Sequence, residues 1–201
     1  MPDSDFFIDY SSLDDFQRQL IDRKNNKSMA VSGSAGSGKS LIALHKAKQI
    51  AALGDTYAII VYTKSLRKYF EDGLRTLGLR NVYHYHQWLH NKHNVKYLIV
   101  DECQDFNATE IDDFRSHGTY CWFFGDTNQS IMDFKPTINS PGHKVQSVEE
   151  TAKQLGIHSQ DLCINHRLTI ENAFINNNKS SLAVYDSSLI AIYESTITFN
   201  D

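Results

Sequence analysis

Apolar residues recur three and four positions apart at Leu13, Phe16, Leu20 and Ile21, so residues 13–24 predict a short amphipathic helix. The pattern then changes period. "SMAVSGS" is a compact run that predicts a buried strand, and "SLIALHKAKQIAAL" returns to helical spacing until Gly54 closes it. "YAIIVYT" has the β-branched density of an interior strand, and residues 64–77 predict a helix. "NVYHY" predicts a short strand leading through "HQWLHNK" into another helix. "VKYLIV" predicts an interior strand, residues 108–115 a helix, and "TYCWFFGD" the next strand. "TINSPGHK" (137–144) reads as a loop and 146–156 as a further helix. Beyond the polar "INNNKSS", the run "LAVYDSSLIAIYESTITF" predicts two strands that turn at Asp186–Ser188.

Strands that are continuously apolar and alternate with helices predict an α/β fold, a mostly parallel sheet with helices on both faces. The 201 residues allow one substantial domain with a small appendage. No apolar run approaches the ~20 residues a membrane span needs, so no membrane partner is expected. The acidic start "MPDSDFFIDY" lacks the basic-then-apolar order of a secretory signal. Cys103, Cys121 and Cys163 are an odd number of widely spaced cysteines, which read as free thiols in a reducing, cytoplasmic setting. A net charge of −4 argues against a grip on nucleic acid through overall charge, and leaves room for a local basic strip.

The candidate chemistry begins between the first strand and the second helix. "GSAGSGKS" fits G-x-x-x-x-G-K-S/T at Gly33–Ser40, in the strand-to-helix context a phosphate-binding loop requires. Glycines let the backbone curl so that N–H groups face phosphate oxygens beside a helix N-terminus. Gly33, Ala35, Gly36, Ser37 and Gly38 would form that cradle. Lys39 would reach the β- and γ-phosphates, and Ser40 would ligate Mg²⁺. Such a loop needs a second strand to deliver an acid to the metal. "LIVDECQDF" does so with Asp101, and Glu102 beside it could activate the attacking water.

The order of these parts resembles superfamily 1 helicases of the UvrD/Rep type across residues 13–175. Gln17 in "LDDFQRQLI" stands where that family reads adenine. "DECQD" matches its D-E-x-Q-D motif, and "GDTNQSI" (125–131) its G-D-x-x-Q-S-I strand end, where Gln129 would sense the γ-phosphate. "VYTKSLRKYF" and "YHYHQW" resemble its segments that contact single-stranded DNA, which assigns Thr63, Lys64, His84, His86 and Trp88 to nucleic acid. "LCINHRLTIENAF" resembles its N-Y-R-S/T motif, with Arg167 on the γ-phosphate and His166 in place of the tyrosine that stacks on adenine. The resemblance implies a RecA-like ATP-binding lobe over 1–160. Residues 161–201 would be a hinge and the start of a truncated or degenerate second lobe.

The helical insertion that large family members carry before the acid motif is absent here. No second arginine segment follows Arg167. An arginine finger is worth roughly 10³–10⁵ in rate, so the chain alone is expected to bind ATP with Mg²⁺ and hydrolyse it weakly. Either the chain is a fragment of a longer helicase, or it is a short helicase-like protein whose second lobe is lost or supplied by a partner protein. The rival readings are an ATP-dependent interaction module, which would need no Glu102, and a small-molecule kinase, in which the D-E-x-Q-D and G-D-x-x-Q pair has no role.

Three smaller features have plainer readings. Lys64, Arg67 and Lys68 could touch phosphates or simply form a solvated helix face. Tyr83, Tyr85 and Trp88 could stack on bases, but core packing is the commoner fate of such aromatics. His84, His86, His90 and His93 are dense, yet no acid or cysteine nearby completes a zinc set.

Overall fold

A computed structural model describes residues 9–24, 26–62, 74–75, 77–126 and 145–162. Helix α1 (Asp15–Asp22) opens on a capping box in which Asp14 and Gln17 satisfy each other's backbone N–H groups. Strand β1 (Met29–Gly33) leads into α2 (Lys39–Ala52), whose last turn ends where the Gly54 N–H meets the Ala51 carbonyl at 3.0 Å. Then come β2 (Tyr57–Val61), β3 (Val82–His84), α3 (Tyr85–His90), β4 (Val95–Val100), α4 (Ala108–His117) and β5 (Gly118–Gly125). Helix α5 (Val148–Leu155) and β6 (His158–Leu162) complete the described elements.

The six strands form one sheet in the order β3-β2-β4-β5-β1-β6, and every pairing is parallel. Alternate side chains of the interior strands feed two cores. Val31, Ile59, Val61, Ile99, Trp122 and Phe124 pack with α2, and α1 lies against α2 in turn. Ala30, Ala58, Ile60, Leu98, Val100, Cys121 and Phe123 point the other way and pack with Trp88, Ile111, Phe114 and Val148 of α3, α4 and α5. Burial on both faces explains why these strands read as unbroken apolar runs. Among the described residues, no helix is long and apolar enough to cross a membrane.

Each expected element that lies within the described residues is found, with ends shifted by a few residues. Strand β6 is an addition. "HSQDL" buries only Leu162, so the hydrophobic pattern gives no sign of it, yet it pairs with β1 from Met29↔His158 to Gly33↔Leu162. At the edge of the sheet among the described residues, it needs little apolar surface, because backbone hydrogen bonds to β1 hold it. The boundary expected at 160–161 therefore falls inside a strand of the first sheet. The loop at 137–144, the strands near Asp186–Ser188 and nearly all of the 64–77 helix lie outside the described residues.

Candidate functional site

The carboxyl ends of β1, β5 and β4 lie side by side, with Ser32 opposite Gly125 and Val100 opposite Phe123. Parallel order thus brings Gly33, Asp101 and Asp126 to one edge of the sheet, where open α/β sheets hold ligands.

From Gly33 the chain curls through Gly36 and Gly38, both at φ +85°, before α2 starts. At Gly38 the left-handed turn and close approach both demand glycine, since a Cβ there would meet Gln17 Nε2 at 2.4 Å. Helices α1, α3, α4 and α5 all carry capping boxes, while α2 has Gly38 at its N-cap and no side-chain cap. Its first N–H groups are left for an anion at the positive end of the helix dipole. Ala35 and Gly36 are half-buried, and the wholly buried Ser37 hydroxyl has no partner among the described residues. Lys39 is the first residue of α2, and its ammonium donates to the carbonyls of Gly33 at 2.7 Å and Ser34 at 3.1 Å.

Ser40 donates its hydroxyl to Asp101 Oδ2 at 2.7 Å. Asp101 is wholly buried, and its Oδ1 finds no hydrogen-bond partner among the described residues. Burial first, then the neighbouring Glu102 carboxylate, push Asp101 up to about 7, against the opposing pull of Ser40 and Lys39. An unpaired oxygen on a buried acid beside a serine hydroxyl is a donor set suited to a hard divalent cation, which would reverse that shift. The residues present therefore fit Mg²⁺ and a nucleotide.

Glu102 sits at φ 54°, ψ 46°, the one non-glycine residue with positive φ among the described residues. Holding a glutamate there costs of order 1 kcal/mol, and such conformations cluster at functional sites. Its carboxylate accepts from Gln104 Nε2 at 2.7 Å, and Gln104 Oε1 accepts from the Asp126 N–H at 3.0 Å. Gln104, only 2% exposed, therefore ties the acid of β4 to the end of β5. Gly125 makes room for this link: a Cβ there would meet Gln104 Oε1 at 2.6 Å and Cys103 Sγ at 2.9 Å. The sequence signal for Gln104 was present in "DECQD", but spacing alone assigned it no task.

Gln17 lies against the loop. It is buried, and its Nε2 donates to the Ser37 carbonyl at 3.2 Å. The histidine-rich segment is arranged differently. Trp88 is 0% exposed and boxed by Tyr83, His93 and His117, with ring centroids 5.4–5.9 Å away. This corrects its expected place on the nucleic-acid face, since every face of the indole is taken by protein. His84 is also buried and caps α3, its Nδ1 accepting from the Gln87 N–H at 3.3 Å. His86 is exposed. Thr63, Lys64, Arg67, Lys68, Gln129, His166 and Arg167 lie outside the described residues.

A phosphate loop, a buried acid and a strained glutamate on a six-stranded parallel sheet define a RecA-like nucleotide-binding core. Residues 29–200 match the family described as the viral superfamily 1 RNA helicase core domain, and the chain belongs to that family. The fold is similar to that of the arterivirus nonstructural protein 10 helicase, solved in complex with DNA. There the TM-score is 0.52 and the identity 16%, over 76% of this chain and 39% of that one. It is also similar to the Pif1 helicase of Candida albicans (TM-score 0.51, 15% identity, 86% of this chain and 45% of that one). A third likeness is to the Hef helicase domain of Pyrococcus furiosus (TM-score 0.50, 14% identity, 73% and 37%). At such identities the likeness is one of fold. The chain spans less than half the length of these structures. No curated protein matches it.

Proposed function

We propose that this helicase-like domain binds ATP with Mg²⁺ and, joined to a second RecA-like lobe, spends ATP to move along single-stranded nucleic acid. The observation that carries the reading is the Ser40–Asp101 pair, a wholly buried carboxylate with one oxygen unpartnered at the uncapped start of α2. Lys39 would turn from the Gly33 and Ser34 carbonyls to the β- and γ-phosphate oxygens. Ser40 and Asp101 would hold Mg²⁺, which when bound neutralises charge on those oxygens. Glu102 would take the proton of the attacking water, its carboxylate steadied by Gln104. Gln17 would swing its amide from Ser37 to the adenine edge. By resemblance, His166 would flank the base, and Gln129 and Arg167 would serve the γ-phosphate.

The motif series supports a UvrD/Rep-type assignment within the superfamily, resting on Gln17, "DECQD" and "GDTNQSI". The nucleic-acid face would run through Thr63, Lys64 and the exposed His86. The family's name speaks of RNA and the arterivirus relative holds DNA, so either strand chemistry is a candidate substrate. Buried free thiols at Cys103 and Cys121 suit a cytoplasmic setting. The test is steady-state ATP hydrolysis with and without single-stranded RNA or DNA, beside Glu102→Gln. Weak turnover that rises with nucleic acid and vanishes in the variant is the expected result. Tight ATP binding with no turnover under any condition, even with a second lobe supplied, would overturn it.

A further inference from the structure

Lys46 takes no part in the chemistry above, yet it is a lysine with 0% exposure on the phosphate-loop helix. A buried ammonium is costly unless its donors are used. Here they are. Lys46 Nζ donates to the Ile21 carbonyl at 2.6 Å, to the Arg23 carbonyl, and to Gln49 Oε1 at 3.2 Å. Its fourth side lies over the Trp122 ring, 4.7 Å from the centroid. Two of the three acceptors are carbonyls at the carboxyl end of α1, groups with no partner inside that helix.

Helix α1 has eight residues, too few to hold its own shape or orientation without anchors. Its apolar side contributes Leu20 and Ile21, and its first turn rests on the loop through Gln17 and Ser37. The Lys46 ammonium grips the other end. Gln17 lies one helical turn before Ile21, roughly 6 Å along the axis. A lever that short transmits a tilt at Ile21 directly to the Gln17 amide. The apolar contacts resist separation of the two helices but permit sliding, whereas the two directed hydrogen bonds from Lys46 to the Ile21 and Arg23 carbonyls fix the angle.

We infer that Lys46 is a positioning residue for base recognition: by capping α1 from α2 it sets where the Gln17 amide stands above the phosphate loop, and so sets the preference for adenine. This rests on the assignment of Gln17 to adenine proposed above. The charged groups facing Lys46 are Asp22 and Arg23 at the end of α1, while β5 offers the Trp122 ring and α2 the Gln49 amide. Burial draws the ammonium down to about 8, an effect Asp22 opposes. The charged form has three N–H donors for three acceptors, and the neutral amine has two. Raising the pH through that value therefore removes the charge that strengthens both carbonyl bonds and the Trp122 contact, and loosens the cap.

The experiment is equilibrium binding of ATP, GTP and inorganic tripolyphosphate by the full chain, its Lys46→Met and Gln17→Ala variants, and the double variant. The expected result is an ATP-over-GTP preference that falls about tenfold in each single variant, the size of one hydrogen bond. The double variant should lose no more than Gln17→Ala alone, and tripolyphosphate should bind Lys46→Met as it binds the unaltered chain. A cap that served stability alone would lower the melting temperature and leave the preference intact, which would overturn the inference while Gln17→Ala still lost it. A preference retained in Gln17→Ala overturns the adenine assignment itself, and the inference with it. Should Lys46→Met not fold, the unaltered chain still decides. Its preference must decline from about pH 7 to about pH 8.5 as the ammonium is lost, and a flat profile overturns the inference.

Discussion

At the carboxyl ends of β1 and β4, polar side chains are buried or half-buried and aimed at one another, while at the end of β3 they are used to fold the chain. Ser40, Asp101, Glu102 and Gln104 form a connected set in which Asp101 is left half-satisfied and Glu102 is held in a strained backbone region. A few residues away in space, His84 is occupied as a helix cap and Trp88 fills a core with its indole wholly covered. Both segments arise at the same edge of the same sheet. The first keeps unmet polar capacity, which is what a ligand can use. The second keeps little within a ligand's reach: Trp88 Nε1 also lacks a partner among the described residues but is sealed in the core, and of the three candidate residues only His86 faces solvent.

The largest expected effect sharpens the first half of this contrast. Glu102→Gln should lower ATP turnover by about 10²–10⁴ while ATP affinity holds, because a general base is lost and its shape is kept. Single-turnover assays at saturating ATP separate the two. Equal losses in binding would mean that Glu102 supports the loop's structure rather than the reaction. Next in size, Trp88→Ala should cost roughly 3–5 kcal/mol in urea unfolding and leave ATP binding intact at permissive temperature. If stability barely moved and nucleic-acid affinity collapsed instead, the contrast would break.

Smaller effects probe the joints. Gly125→Ala should cost about 1–3 kcal/mol, since its Cβ runs into Gln104, Cys103 and Val148. The same change should slow turnover by displacing the amide that steadies Glu102. A normal rate in a destabilised Gly125→Ala protein would count against that steadying role. His84→Ala should cost about 0.5 kcal/mol through the lost cap, read as a small shift in melting temperature. His86→Ala should stay within ~0.5 kcal/mol of the parent in stability. Its measurable consequence is a loss of about threefold in affinity for single-stranded nucleic acid, in a filter-binding series with RNA and DNA.

Why one segment was legible in the sequence and the other was not follows from the backbone. "GSAGSGKS" constrains main-chain shape through its glycines, and "LIVDE" places two acids at a strand end. Both properties survive folding because the backbone carries them. Aromatic and histidine side chains carry no such constraint: "YHYHQW" reads equally as a stacking surface or as core, and packing decides. The interior strands were readable because both of their faces are buried. β6 was not, because an edge strand held by its backbone needs almost no apolar residues. Lys46 was invisible for a related reason: a lysine at helical spacing signals a solvated face, and only the packing of α1 and Trp122 against α2 encloses it.

That edge strand has a mechanical meaning. β6 runs parallel to β1 along the whole of its length, and the chain leaves β6 at Leu162, directly beside Gly33 where the phosphate loop begins. The side chains of Ser32 and Asp161 are joined across the same end. Tension along the strand axis on whatever follows Leu162 would be borne in shear, with the rungs of the ladder sharing the load instead of opening one at a time. The strand that carries the nucleotide loop and the strand that carries the outgoing chain are thus a single stiff strut. Force applied along the strand by the downstream chain would reach the loop at Gly33 without first deforming the sheet.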